Sequence, residues 1–247
     1  SGAAFLQFGY VPGGRCIYSG VSQLAPGSIV TIKAESLEVC EDQWWSLEEV
    51  VRAGAVAPFS GTLGEAKDAL RSVLSAAVSK RMVSDVPLGA FLSGGVDSST
   101  GVALMQAQSA RAVKTFTIGF QEPGYNEAEH SKAVAAHLGT DHTELYVTAE
   151  QAMAVIPLFP SLYDEPFSDS SQIPTFLVSQ LARQQVTVAL SGDAGDELFC
   201  GYNRYQVTAG LWKKLAAVPL PLRKLVAAAL MQVSPNAWTR FAGAVDG

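Results

Sequence analysis

The chain has 247 residues, of which 48% are hydrophobic and 16% charged, enough for one large domain plus part of another. Its net charge of −6 argues against nucleic acid or an anionic membrane as a partner. The three cysteines lack metal-site spacing, and the sequence contains no signal peptide and no uninterrupted apolar span of about 20 residues. We therefore expect reduced thiols in a cytoplasmic protein.

The first 63 residues differ in composition from the rest of the chain. Residues 5–45 are predicted to form short strands, the first at 5–10 and the second at 16–18, between Pro- and Gly-rich turns. This much β structure is too small for its own core. Residues 46–63 are rich in Gly, Ala and Pro and predict a linker.

From Gly64 onward, helical and strand patterns alternate along the chain. A helical periodicity begins at Gly64 and ends before Pro87. Capping signatures occur at Asn126 with Glu129 and at Thr148 with Gln151, and Gly139 suits the end of a helix. Strands are predicted at 88–92, 113–120, 142–147 and 186–190, and helices at 126–138 and 173–183 among others. The alternation predicts an α/β fold, a parallel sheet with helices on both faces.

The segment Ser93–Ser99, here called the nucleotide loop, lies between the first of these strands and a helix. Its two glycines allow close approach of the backbone to a ligand, and its serine hydroxyls and the helix N–H groups form an anion site. Asp97 would repel a phosphate unless a divalent cation lay between them. The loop therefore predicts a site for a nucleotide with Mg²⁺. It lacks the lysine of the Walker loop and matches the SGG-x-DS pyrophosphate loop of enzymes that cleave ATP between the α- and β-phosphates.

A second loop rich in small and acidic residues, Ser191–Glu197, follows the strand at 186–190 and is here called the acidic loop. Ligands of parallel sheets bind beyond the carboxyl ends of the strands. Beside the nucleotide loop, the acidic loop therefore offers a further Mg²⁺ ligand and a possible base, and one of its three carboxylates can cap the next helix. Residues 118–124 form a third loop at this edge.

Three segments resemble the glutamine-dependent asparagine synthetase family. They are GAFLSGGVDSS at 89–99, YDEPFSDSS at 163–171 (the substrate loop below) and VALSGDAGDELFCGY at 188–202. The resemblance implies a Rossmann-like pyrophosphate-loop ATPase fold, of the adenine nucleotide alpha-hydrolase-like type. It also implies a reaction in which ATP activates a carboxylate, such as the aspartate side chain, as an acyl-adenylate. Ammonia from glutamine then forms an amide.

The resemblance also implies roles for single residues. Leu92 and Ile118 would contact adenosine, Ser191 and Gly192 the nucleotide, and Asp164 and Glu165 the amino-acid substrate. The pyrophosphate would be held by Ser93, Gly94, Gly95, Ser98 and Ser99. Asp97 and Asp196 would bind Mg²⁺. Asp193, where the family often has Glu, and Glu197 would be catalytic.

The resemblance suggests a division of the chain and points to departures from the family. Residues 1–45 would be the end of a glutaminase domain, 46–63 a linker, and 64–247 a synthetase domain truncated at its C-terminus. A fragment of this kind is expected to be inactive with glutamine. The family usually has glycine at the positions of Ala194 and Cys200. The substrate-loop form also resembles a branch found in surface-glycan gene clusters, which leaves the amidated carboxylate open.

Two other functions are compatible with the sequence. The first is a different pyrophosphate-loop ligase, such as an NAD or GMP synthetase or a tRNA-modifying enzyme, although the acidic loop and the absence of a basic patch argue against it. The second is a nucleotide-binding module without turnover, which Ala194 slightly favours. The oligomeric state, a homodimer included, stays open.

Overall fold

The computed structural model describes residues 1–120, 128–234 and 237, in two compact units, Ser1–Gly192 and Asp193–Gly247. The capping residue predicted at Asn126 and the end of the 118–124 loop lie outside the described residues. Within the described ranges, no helix is both long and apolar enough to cross a membrane.

The N-terminal 63 residues contain more helix than their composition predicts. The elements here are α1 (Gly2–Phe8), the antiparallel pair β1 (Ser28–Ile32) and β2 (Val39–Gln43), and α2 (Leu47–Val56). The strand predicted at 5–10 is wrong, because Ala, Leu and Gln favour a helix, which ends at Gly9 with φ 78°. The strand predicted at 16–18 is also wrong, since this region has only an isolated bridge, Arg15 to Ser22. Inside the predicted linker, Ser46 caps α2 by accepting the Glu49 N–H at 3.4 Å.

The rest of the first unit is the predicted alternation of helices and parallel strands. The helices are α3 (Leu63–Arg81), α4 (Val96–Gln108), α5 (Ala128–Leu138), α6 (Ala149–Met153), α7 (Phe159–Leu162) and α8 (Gln172–Ala182), with a 3₁₀ turn at Ile156–Leu158. The strands are β3 (Leu88–Phe91), β4 (Lys114–Phe120), β5 (Asp141–Val147) and β6 (Val188–Leu190), in the order β5-β4-β3-β6 and all parallel. The capping box at Thr148 and the left-handed Gly139, with φ 72°, are confirmed.

Helices cover both faces of the four-stranded sheet, as predicted. Ala90 and Leu92 pack with Val102 and Met105 of α4, and with residues of α3 and α5, on one face. Phe116 packs with Leu181 and its neighbours in α8 on the other. A third cluster joins the end of β5 to α6 and α8. Since each face of the sheet is buried, its side chains fix the register, and the strand ends are held in place.

The second unit is helical in its described part. Its elements are α9 (Gly195–Phe199), α10 (Asn203–Ala216) and α11 (Leu220–Met231). The Arg223 guanidinium lies 5.7 Å from the centre of the Trp212 ring, which joins α11 to α10 by a cation–π contact.

A polar cluster lies at the amino ends of β4 and β5, opposite the predicted ligand edge. Thr115 Oγ1 is 2.8 Å from His142 Nδ1 and 3.0 Å from Thr140 Oγ1. His142 Nε2 is buried and has no hydrogen-bond partner among the described residues. Burial lowers the pKa of His142 below its ordinary value, with a smaller opposing effect from Glu144.

The partial burial of His142 predicts an acid-sensitive fold. Between about pH 7 and pH 5.5, the unfolded chain takes up a proton at this side chain before the folded chain does, so the free energy of unfolding falls as the pH falls. Urea unfolding at several pH values should therefore give a shallower dependence for His142→Gln than for the wild type. His137→Gln, at an exposed position of α5, is the control and should keep the wild-type dependence. Equal slopes for all three proteins would contradict the prediction.

Candidate functional site

The nucleotide loop and the first residues of the acidic loop lie side by side at the point where the strand order of the sheet reverses. The chain leaves β3 toward β4 and β5, then returns to place β6 on the other side of β3. The loops that follow β3 and β6 therefore flank a crevice at the carboxyl ends of the strands, the usual ligand position in such sheets. A cavity of 260 Å³ beside them is lined in part by Ser98, Ser191 and Gly192.

The nucleotide loop is held together by its own hydroxyl and amide groups. Ser98 Oγ accepts the Ser93 N–H at 3.2 Å and lies 2.9 Å from Ser93 Oγ. Ser93 Oγ also accepts the Gly95 N–H at 3.3 Å. Gly95 is the N-cap of α4, so the first N–H groups of this 13-residue helix have no acceptor inside the helix. The loop therefore presents hydroxyl and amide donors in one place, as an anion site requires.

Gly94 allows α5 to pack directly against the nucleotide loop. Its φ is +77°, in the left-handed region that favours glycine. A Cβ at this position would lie 2.8 Å from both His130 Cβ and the Ser131 backbone nitrogen. Neither the sequence pattern nor the resemblance indicated this contact, because His130 is far from the loop along the chain. Gly94 thus allows both the sharp turn of the nucleotide loop and its close packing against α5.

Gly192 brings the two loops into contact within the first unit. A Cβ at Gly192 would lie 2.7 Å from the Ser98 nitrogen and 3.0 Å from the Asp97 carbonyl carbon. Only glycine allows the backbone after β6 to pass this close to the start of α4. The predicted meeting of the two loops is confirmed for Asp97, Ser98 and Gly192.

The nucleotide loop contains an unsatisfied polar atom of the kind that a ligand would satisfy. Ser99 Oγ is buried and has no hydrogen-bond partner in the part of the chain that the structure describes. Buried hydroxyls nearly always have a partner, so this one indicates a missing group. With the glycine turn and the neighbouring donors, the residues present fit the phosphates of a nucleotide.

Two predicted adenosine contacts differ in their surroundings. The Leu92 side chain is 1% exposed and lies in the sheet core, and its N–H is donated to the Phe116 carbonyl at 3.0 Å. Ile118 is half-buried near the end of β4, against residues of α8. Any ligand contact of Leu92 would therefore use the backbone at the end of β3.

The rest of the acidic loop, from Asp193 onward, belongs to the second unit. Asp196 lies beside Gly201, where a Cβ would overlap Asp196 Oδ1, so glycine at 201 leaves room for this carboxylate. Glu197 accepts a hydrogen bond from the Tyr202 hydroxyl at 2.9 Å, which raises the Tyr202 pKa. The N-cap residue of α9, Ala194, makes no side-chain hydrogen bond with the described residues, whereas Glu197 lies in the first turn of this helix, where its charge favours the N-terminus. Asp193 is exposed.

The two departures from the family pattern both lie in left-handed backbone. Ala194 has φ 70° and Cys200 has φ 56°, and they flank α9 at its two ends. A side chain in this region costs about 1–2 kcal/mol relative to glycine. Both positions therefore carry a side chain where the backbone favours the glycine that the family usually has.

Ala194→Gly should therefore stabilise the protein by up to about 1 kcal/mol, after the greater freedom of glycine in the unfolded chain is subtracted. Chemical denaturation measures the change. Ala209→Gly, in the middle of α10, is the matched control and should destabilise by a similar amount. If Ala194→Gly lost as much stability as Ala209→Gly, the backbone at Ala194 would not be strained.

The two carboxylates of the substrate loop have different partners. Asp164 is exposed. Glu165 is half-buried and accepts the Ile17 N–H at 3.1 Å and the Gln23 side-chain amide at 3.1 Å. The Cys16 thiol beside Glu165 lowers the Glu165 pKa, and the carboxylate raises the Cys16 pKa. Reasoning from sequence missed these partners, which lie more than 140 residues away along the chain.

Metal binding by Asp97 would need oxygen atoms from outside the chain. In the described ranges, no cluster of three or more His, Cys, Asp or Glu side chains could hold a metal ion by itself. Hard cations such as Mg²⁺ commonly bind one or two carboxylates together with substrate phosphates. The half-buried Asp97, in the first turn of α4, suits that arrangement.

The parallel sheet, its covering helices and the glycine–serine loop after β3 define an α/β protein with the pyrophosphate-loop ATPase fold. Residues 69–245 match the family model for asparagine synthase. The chain belongs to the asparagine synthase family.

The names of similar proteins are consistent with this family. A glutamine-hydrolysing asparagine synthetase of Bacillus subtilis is 32% identical over 222 residues, which are 90% of this chain and 34% of that protein. A candidate enzyme of the same name from Mycobacterium tuberculosis is 35% identical over 216 residues, 87% of this chain and 32% of that protein. The chain thus spans about a third of the length of these relatives. An NH3-dependent NAD synthetase from Campylobacter jejuni aligns at 14% identity with a TM-score of 0.38, over 55% of this chain and 60% of that one.

Proposed function

We propose that this chain is the ATP-dependent synthetase portion of an asparagine-synthetase-like amidotransferase. The observation that carries the proposal is the nucleotide loop at the switch point of the sheet. It has a left-handed Gly94, clustered donors and a buried Ser99 hydroxyl that has no partner among the described residues. Membership of the asparagine synthase family supports ATP as the nucleotide.

The proposed binding roles follow the environments of the side chains. Ser93, Ser98 and Ser99 donate hydroxyl hydrogens to phosphate oxygens, and Gly94 and Gly95 allow the backbone to approach them. Asp97 and Asp196 are each proposed as Mg²⁺ ligands, and the metal would neutralise phosphate charge. Ser191 and Gly192 line the same crevice, and Asp164 is proposed to face the amino-acid substrate.

The proposed reaction joins a carboxylate to ammonia in two steps. A carboxylate oxygen attacks the α-phosphorus of ATP, the bond from that phosphorus to the bridging oxygen breaks, and pyrophosphate leaves. The ammonia nitrogen then attacks the acyl carbon, AMP leaves, and a proton passes from nitrogen to a base, for which Asp193 is proposed. The nucleotide-loop donors stabilise the charge that builds on the phosphate oxygens. Aspartate as the carboxylate and glutamine as the ammonia source are proposed from the names of the relatives.

Isotope exchange between ATP and pyrophosphate, with and without aspartate, tests the function. Exchange that depends on aspartate supports the proposal. Exchange that depends on another carboxylate, such as a glycan acid, would support the proposed reaction but identify a different substrate. Nucleotide binding without any exchange would contradict the proposed enzymatic activity and favour a nucleotide-binding module without turnover. The left-handed backbone at Ala194 is the observation that supports this second function.

Asp97→Asn should weaken binding of Mg–ATP by about tenfold or more, because the variant keeps the shape of the side chain and removes its charge. Asp97→Ala should weaken it further. Isothermal calorimetry measures both, and Asp68→Asn, on the exposed part of α3, is the matched control. Unchanged affinity in both Asp97 variants would eliminate Asp97 as a metal ligand.

A further inference from the structure

The substrate loop is anchored to the N-terminal part of the chain by Glu165. The carboxylate accepts one hydrogen bond on each oxygen, from the Ile17 N–H at Oε2 and from Gln23 Nε2 at Oε1. The buried Cys16 side chain lies beside this carboxylate, which raises the Cys16 pKa. Nearby, the Ser168 N–H is donated to the Gly9 carbonyl at 2.6 Å. Two segments far apart in sequence are thus joined at two points.

The substrate loop also makes aromatic and amide contacts on either side of Glu165. Tyr163 packs edge-on against Phe159 and Phe167, with ring centres 5.8 and 4.8 Å apart. At the other end, the Gln172 side-chain amide donates to the Phe167 and Asp169 carbonyls, at 2.9 Å each. Within residues 164–166, the side-chain hydrogen bonds to described residues are those of Glu165.

A carboxylate that already accepts a hydrogen bond on each oxygen has less capacity to bind an incoming ammonium group. The neighbouring donors also lower its pKa, so it stays charged and bound to the N-terminal segment. The neighbouring Asp164 is exposed, and its carboxylate makes no hydrogen bond to the residues that the structure describes. The two adjacent carboxylates therefore suit different tasks.

We propose that Glu165 is a positioning residue: by binding Ile17 and Gln23, it holds the substrate loop so that Asp164 faces the carboxylate substrate. We call these two hydrogen bonds the Glu165 clamp. The proposal rests on the proposed function and replaces the substrate contact that the resemblance implies for Glu165. Ile17 and Gln23 precede the residues that match the family model, so the clamp fastens the family domain to a segment outside it.

Substitution of Gln23 separates positioning from direct substrate contact, because Gln23 lies outside the substrate loop. In ATP–pyrophosphate exchange, Gln23→Ala and Glu165→Ala should both raise the KM for the carboxylate severalfold and leave the KM for ATP unchanged. The double variant should be no worse than Glu165→Ala alone, since the same hydrogen bond is lost. Glu165→Gln, which keeps one acceptor oxygen, should lie between the wild type and Glu165→Ala. Gln7→Ala, on the exposed side of α1, is the matched control.

Hydrogen exchange provides a readout that does not depend on turnover. The Ile17 amide donates to Glu165, so Glu165→Ala should speed its exchange in the 247-residue protein, as well as that of Ser168. An unchanged exchange rate at the Ile17 amide would contradict the Glu165 clamp, regardless of the measured catalytic activity. A Gln23→Ala variant with wild-type KM, beside a Glu165→Ala variant that no longer responds to the carboxylate, would make Glu165 a substrate ligand. A wild-type protein without any ATP–pyrophosphate exchange would instead overturn the proposed function.

Discussion

Gly94→Ala is expected to lower the free energy of unfolding by about 2 kcal/mol or more and the affinity for Mg–ATP by at least about tenfold. The alanine would have to adopt a left-handed backbone with φ near +77°. Its Cβ would also meet the Ser131 nitrogen and His130 Cβ at 2.8 Å, and backbone atoms of a packed helix cannot move aside as the tip of a flexible side chain can. The loop or α5 must shift, and either movement disturbs the phosphate donors.

A glycine nearby serves as the control for this variant. Gly101 lies inside α4, and a Cβ there would have no neighbour within 4 Å. Gly101→Ala should therefore keep nucleotide affinity and raise stability by up to about 1 kcal/mol, because alanine is the better helix former. Calorimetric titration and urea unfolding measure both quantities. If Gly94→Ala and Gly101→Ala behaved alike, the nucleotide loop would not need its left-handed residue.

Asp193→Asn is expected to lower amide formation by roughly 10²-fold or more, the usual scale for loss of a general base, with Mg–ATP affinity near the wild-type value. Asp196→Asn is expected to weaken Mg–ATP binding instead. The two carboxylates differ in surroundings: Asp193 is exposed, and Asp196 is half-buried against Gly201. The side chain of Asp193 is one methylene shorter than the Glu common in the family, so a water molecule can bridge it to the reacting nitrogen.

This division of roles is tested with ammonia as the nitrogen source. Amide product is measured for both variants beside calorimetry of Mg–ATP binding. Asp85→Asn, in an exposed turn before β3, is the control for a lost surface charge. Equal losses of ATP affinity in Asp193→Asn and Asp196→Asn would make both residues metal ligands and eliminate the separate base.

Local patterns were enough to predict much of the first unit. Strand β4 follows from β-branched and aromatic residues in a run that is buried on both faces, and it lies within one residue of its predicted start. The capping box at Thr148 and the turn at Gly139 were predicted because a cap depends on residues only three or four positions apart. The same locality made the nucleotide loop recognisable, since its donors lie within seven consecutive residues.

The sequence by itself therefore determined the α/β class, the position of the nucleotide loop and the family resemblance. Tertiary structure alone decided that Gly94 packs on His130 and Ser131, that Gly192 meets Ser98, and that Glu165 binds Ile17 and Gln23. These contacts join residues that are tens to more than a hundred positions apart, and no periodicity or cap records such a pairing. They arise only when the packed sheet brings distant loops to the same edge, which is why a carboxylate beside Asp164 in sequence is bound to a different segment in space.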